Sequence, residues 1–339
     1  MAVEAKPATA GSEATEQRRG IPPLLALRLI AERWSLLIAF AGACAFFSVA
    51  KPSVFLTWAN AQAILDTASV LCILAVGITV VLVLGEFDLS IGSVVSLAAA
   101  SSVAMMAHHG FSTGTAIALA LALSTLVGLI NGVAVAYVRI PSFIATLAMG
   151  SIAAGFELAI TQTSIFQGIR QSYLTIELTK YGGFTLPTFI ALGVMLAFLI
   201  ILRTTVYGRY ASSVGDNPAA ARLTGIPVQR VKVIGFMLTA FTGGVASVIA
   251  ASAAQSYYPG IGTGYLLPAY AAAFLGLSLS GGLRFSVFGS YLGVLLLGTV
   301  TTGLTIMNEP NWTASLVQGG VLLVAVAGVA IRRRSTLGP

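Results

Sequence analysis

The sequence predicts an all-α fold: a polytopic transmembrane bundle of about ten helices with both termini in the cytoplasm. Three observations predict it. The 339 residues are 57% hydrophobic and 9% charged, with a mean hydropathy of +0.93, whereas a soluble domain carries about 25% charged residues. Apolar runs on the scale of a bilayer crossing recur along the whole chain. The basic residues fall in the short segments between those runs. That placement argues against nucleic acid as the reason for the net charge of +7.

Residues 1–33 read as a disordered cytoplasmic tail. The first twenty are polar, rich in Ala, Glu and Thr, and end in Gln17-Arg18-Arg19-Gly20. The transmembrane domain occupies 34–331 and a short cytoplasmic tail 332–339. The first run, 34–50, ends in Ser48-Val49-Ala50, which looks like a cleavage site. The stretch ahead of it is too long for a signal peptide and many spans follow, so it is read as an uncleaved span. The further runs are 62–84, 91–107, 114–138, 143–160, 184–202, 233–254, 266–280, 284–306 and 312–331. Those at 266–280 and 284–306 are the least clearly bounded.

Loop charge sets the orientation. With the N-terminus inside, the inner segments hold 15 Lys and Arg residues, and the outer segments hold Lys51, Arg170 and Lys180. Removing one span would put basic loops on both sides.

Two polar stretches interrupt the apolar pattern. The first is Gly85-Glu86-Phe87-Asp88-Leu89-Ser90-Ile91-Gly92-Ser93. Asp88 or Ser90 is placed to cap the helix that starts near Ile91, where the helix dipole also favours a carboxylate. The other reading is a broken helix near a transport path, where polar backbone is tolerated if it lines a cavity. The second stretch is the cytoplasmic loop 203–232, which contains Val214–Lys232, VGDNPAAARLTGIPVQRVK. Asn217 caps a short helix with Pro218 at its first position. Ala219 to Leu223 propagate it, Gly225 ends it and Pro227 prevents its return. An interfacial helix resting on lipid head groups is one reading. The small, Ala-lined face favours the other, insertion into a groove on a partner protein.

Glu157 lies within the fifth run. It is either a functional intramembrane acid or a group near the outer end that reaches water. Asp66 reads as interfacial, and His108 and His109 as solvated loop residues. Cys44 and Cys72 lie in apolar runs and read as small buried side chains. Gly128-Leu-Ile-Asn-Gly132 and Gly289-Ser-Tyr-Leu-Gly293 are spaced for close helix packing. No phosphate-binding Gly-x-x-x-x-Gly-Lys-Ser/Thr loop, metalloprotease His-Glu-x-x-His or proton-relay chain occurs. No catalytic residue and no metal site are therefore assigned.

Taken in order, the motifs resemble those of bacterial ABC-type sugar permeases of the ribose/xylose class. Gly85–Ser93 resembles their Gly-Gly-Ile-Asp-Leu-Ser-Val-Gly-Ser signature, and GLINGVAVAYVRIPSFIATLAM, 128–149, resembles their Asn-Gly and Ile-Pro-x-Phe-Ile-Ala-Thr-Leu segment. The loop around 217 resembles their coupling loop, and Pro259-Gly260-Ile261-Gly262 and Leu279-Ser280-Gly281-Gly282 resemble later signatures. The departures are Glu86-Phe87 for Gly-Ile, Ser142 for a second Pro, and Arg284-Phe285 at a Gly-rich turn.

The resemblance covers about residues 35–331 and implies a permease subunit in the bacterial inner membrane. A separate ABC ATPase would supply ATP and Mg²⁺ chemistry, with no cofactor bound by this chain. A second permease subunit would pair about a two-fold axis, and a periplasmic binding protein would deliver a sugar. The ATPase-coupling positions it implies are Gly215, Asp216, Asn217, Ala220, Ala221, Arg222, Gly225 and Ile226. Candidate path residues are Phe87, Asp88, Asn131, Glu157, Tyr265, Tyr270 and Phe274. Alternatives are a branched-chain amino acid or nucleoside permease, and an ion-coupled secondary transporter. The scarcity of buried ionisable residues argues against the last. A non-transporting membrane scaffold is a further alternative.

Overall fold

The computed structural model describes residues 23–162, 169–277 and 284–337, with side chains described over 34–310 and 312–327 within those bounds. Residues 1–22 of the tail predicted over 1–33, and the Leu279–Gly282 signature, lie outside the described residues. The chain is helical along nearly all of its described length. In order it forms α1 (Pro23–Ala50), α2 (Pro52–Phe55), α3 (Trp58–Val83), α4 (Ile91–His109), α5 (Thr113–Ala136), α6 (Ser142–Thr161) and α7 (Gln171–Leu178). A two-residue hairpin, β1 (Lys180–Tyr181) and β2 (Phe184–Thr185), leads into α8 (Leu186–Thr204). Then come α9 (Val206–Asp216), α10 (Pro218–Leu223), α11 (Val228–Ala254), α12 (Leu266–Gly276), α13 (Val287–Ile306) and α14 (Asn311–Leu337).

Each predicted apolar run is a helix: α1, α3, α4, α5, α6, α8, α11, α12, α13 and α14. Seven of these are long and apolar enough to cross a membrane within the described residues, making the chain a multi-pass membrane protein. Helix α1 starts at Pro23, ahead of the predicted run. Helix α12 has 11 residues, about 16 Å of rise, roughly half of a bilayer core.

The helices divide by exposure. The apolar windows of α3 and α4 are 78% buried, while that of α6 is 22% buried. So α3, α4 and α11 form the centre, and α6 and α8 present apolar faces outward to lipid or another chain.

Small residues set the spacing of the centre, as their pattern predicts. A Cβ on Gly128 would lie 2.5 Å from the Phe236 carbonyl oxygen, and one on Gly132 would lie 2.7 Å from Val233 Cα. This close approach makes α5 and α11 the most extensive helix pair. Gly289 and Gly293 do the same for α13 against Gly276 and Ala272 of α12. Buried hydroxyls then find partners across helices. Thr79 of α3 bonds Ser290 of α13 at 2.6 Å, and Thr239 of α11 donates to the Gly77 carbonyl at 2.8 Å.

Gly128→Ala should therefore cost about 1–3 kcal/mol through overpacking. Gly114→Ala, where nothing lies within 4 Å, should change stability by less than about 0.5 kcal/mol. Thermal unfolding of the two variants in detergent checks the contrast.

Candidate functional site

Two breaks in the helical pattern organise the site. The first lies between α3 and α4. Gly85 takes φ +75°, and the amide of Glu86 donates back to the Val81 carbonyl at 2.9 Å while that of Gly85 donates to Leu82. This is the left-handed helix ending that glycine permits. The chain then runs non-helically to Ser90.

Across that stretch four successive backbone amides each meet a side chain. Phe87 donates to Ser142 Oγ at 3.2 Å, Asp88 to Tyr270 Oη at 2.8 Å, Leu89 to Thr146 Oγ1 at 3.0 Å, and Ser90 to Asp88 Oδ1 at 2.9 Å. Tyr270 also donates to the Asp88 carbonyl at 3.0 Å. Ser90 Oγ donates to Asp88 Oδ1 at 2.5 Å and accepts from Asn131 Nδ2 at 2.9 Å. Asp88, Ser90 and Asn131 have no measurable exposure. Asp88 Oδ2 and Asn131 Oδ1 are buried acceptors with no hydrogen-bond partner among the described residues.

This corrects the capping expectation. Ser90 occupies the N-cap position of α4 without a side-chain capping bond, and Asp88 binds the amide of Ser90 itself. The serine that stands in place of a second proline, Ser142, gains a role as the acceptor for Phe87.

The second break joins α11 to α12. Glu157 of α6 is 3% exposed. It accepts the Tyr257 hydroxyl at 2.5 Å and the Gly260 amide at 2.7 Å. The reading in which Glu157 reaches water is thus corrected. Its carboxyl tethers this connection, while Tyr257 outside the helices has its hydroxyl pKa raised by burial and by Glu157. Farther along, the Gly262 amide donates to Ser96 Oγ at 2.9 Å, and Gly262 packs on Gly92 in the first turn of α4. Asp66 accepts from the hydroxyls of Thr185 and Thr188 at 2.8 and 2.6 Å, pinning the start of α8 to α3.

The loop after α8 carries two helices, of which α9 was not foreseen. Gly215, near the end of α9, lies so close to the Val83 carbonyl that no side chain fits. As predicted, Asn217 caps α10 by accepting from the Ala219 and Ala220 amides at 3.0 Å each, with Pro218 following. Gly225 takes φ +83° and the Ile226 amide returns to the Ala221 carbonyl. The predicted coupling positions face two ways. Ala221 is 4% exposed and packs with Leu84, Ala211, Val214, Val228 and Val231. Asp216, Asn217, Ala220, Arg222 and Gly225 are exposed. So is Leu223, at 90%, a residue that the sequence reading passed over.

Among the path candidates, Phe87, Asp88, Asn131 and Tyr270 come together. The rings of Phe87 and Tyr270 stack at 6.1 Å. Phe87 and Phe274 line a cavity of about 450 Å³ with Glu86, Asp216, Arg284 and Phe285. Arg284 pairs with Asp216 at 2.7 Å. Tyr265, half-buried, and Glu157 belong to the other break. Among the described residues no group of three metal-ligating side chains occurs.

The family model and the relatives of this buried helical bundle make it the membrane component of an ABC transporter. The solved inward-facing structure of a metal-chelate type ABC transporter has the same fold, at a TM-score of 0.52 with 14% identity over 88% of this chain and 99% of that one. The chain belongs to the family described as the permease component of branched-chain amino acid transport systems, whose model matches residues 60–326. It is 35% identical to the ribose import permease protein RbsC of Escherichia coli K12, over 86% of this chain and 91% of that protein. It is 32% identical to the L-arabinose ABC transporter permease protein AraH of Azospirillum brasilense, over 89% and 88%.

Thr146→Val and Tyr270→Phe each remove a partner of buried backbone, and each should cost about 1–3 kcal/mol. Asp88→Asn retains an acceptor for Ser90 and should cost less than Asp88→Ala. Denaturation midpoints of the four variants check the order.

Proposed function

We propose that the chain is the transmembrane subunit of an ATP-driven sugar importer in the bacterial inner membrane. The observation that carries the substrate class is its similarity to ribose and L-arabinose permeases along nearly their whole length. A similar xylose transport system permease, 28% identical over 86% of this chain, belongs to the same substrate class. The family description favours branched-chain amino acids as the second reading.

The end bearing α9 and α10 faces the cytoplasm. Arg139, Arg222 and Lys232 gather there around one cleft, as positive-inside topology requires. A separate ABC ATPase docks on this end, and ATP and Mg²⁺ stay on that partner. Asn217, Ala220, Arg222 and Leu223 form the contact, and Leu223 is its apolar anchor. Gly215 and Ala221 act from behind by fixing α9 and α10 to the end of α3. A second copy pairs with this one, and a periplasmic binding protein delivers the sugar to the opposite face. ATP binding moves α10, and the helices behind it rock to switch the path between faces.

Purification of the tagged chain from native membranes should retain an ABC ATPase in stoichiometric amount. Leu223→Asp or Ala220→Arg should lower its recovery at least about tenfold, as for the loss of an interface anchor, with the permease fold unchanged. Ala221→Arg should instead unfold the loop. Wild-type protein that supports sugar uptake with no ATPase bound would overturn the proposal.

A further inference from the structure

Glu86 and Lys232 form an ion pair across 146 residues of sequence. Their side chains are 14% and 18% exposed, against 58% and 68% for the Asp216–Arg284 pair nearby. An exposed pair contributes little, whereas breaking a mostly buried one strands a charge. The pair's position matters as much as its burial.

Lys232 lies in the second turn of α11, shortly after α10. Val228 and Val231, on that same stretch of α11, share a buried cluster with Ala221 of α10 and with Leu84. Glu86 opens the non-helical segment whose next four amides are held by α6, by α12 and by Asp88. The pair therefore bridges the loop that faces the ATPase and the unwound segment that lines the cavity beside Asp216 and Arg284. Glu86 is also one of the two residues by which this segment departs from the signature that it resembles.

We infer that the Glu86–Lys232 pair transmits movement of α10 to the unwound segment, so that both are positioning residues for transport. The inference rests on the importer reading above. Apolar contact through Leu84 pushes the segment when α10 moves inward. The ion pair pulls it when α10 moves back, because a charged pair in a low-dielectric setting resists separation. Arg139 and Arg222 line the same cleft, and Glu86 is the only acid among its described lining residues. Glu86→Lys consequently leaves four cations facing one another.

The test is a charge swap in the assembled transporter, reconstituted in liposomes with its ATPase and binding protein. Glu86→Lys and Lys232→Glu should each lower the sugar transported per ATP hydrolysed by about tenfold, within the range of coupling between contacting residues. The double swap should recover most of that loss. Glu86→Gln serves if a reversed single variant does not fold, and it should lower the same ratio less. A double swap no better than the worse single variant would overturn the inference. So would single variants that lose thermal stability and hydrolysis together while the ratio holds, which marks the pair as merely structural. Wild-type uptake that needs no ATP would sink the importer reading first, and the transmission role with it.

Discussion

Buried backbone that leaves a helix must find its hydrogen bonds within the protein, and this requirement shapes the molecule. The stretch from Phe87 to Ser90 meets it with one side chain per amide, from Ser142, Tyr270, Thr146 and Asp88. Three of those acceptors come from α6 and α12, both distant in sequence, so the segment has its shape only when these two helices are seated. The connection after α11 meets the requirement through Glu157 and Ser96. Each break is thus a junction between helices as well as a gap in one.

Close packing follows from the same need. Hydroxyls and carboxyls reach buried backbone only if helix axes lie close together. The glycines of α5, α12 and α13 provide that approach. Gly215 extends the principle to the loop, seating the end of α9 on the end of α3. The loop sequence therefore encodes two surfaces, an inner one of Gly215 and Ala221 and an outer one from Asn217 to Leu223. Motion received on the outer surface has a packed path to the unwound segment behind it.

Much of this was legible beforehand, and the rest was hidden for identifiable reasons. The ten apolar runs locate ten of the fourteen helices among the described residues, because long hydrophobic stretches have few alternatives in a chain so poor in charge. Asn217, Pro218 and Gly225 bound α10 because capping chemistry is local. Helix α9 escaped notice because Val206–Asp216 mixes glycine, serine and charge in a short polar stretch. Ala220 and Ala221 are identical residues on opposite sides of one helix, and sequence alone gave no reason to separate them. The acceptors for Phe87 to Ser90, the tether at Glu157 and the Glu86–Lys232 pair join residues mostly far apart in sequence. No local pattern announces such pairings. Only the unusual acids, isolated in apolar surroundings, marked where partners had to be found.

In the proposed importer, sugar movement through this chain is driven from its basic end by ATP used on another subunit. The most direct test places the permease, its ATPase and its binding protein in liposomes and follows labelled ribose, arabinose and xylose. Uptake of at least one of these sugars should require ATP on the side bearing α10 and stop when the ATPase is inactivated. Uptake that proceeds without ATP, or transport of branched-chain amino acids with none of the sugars, would contradict the importer proposal.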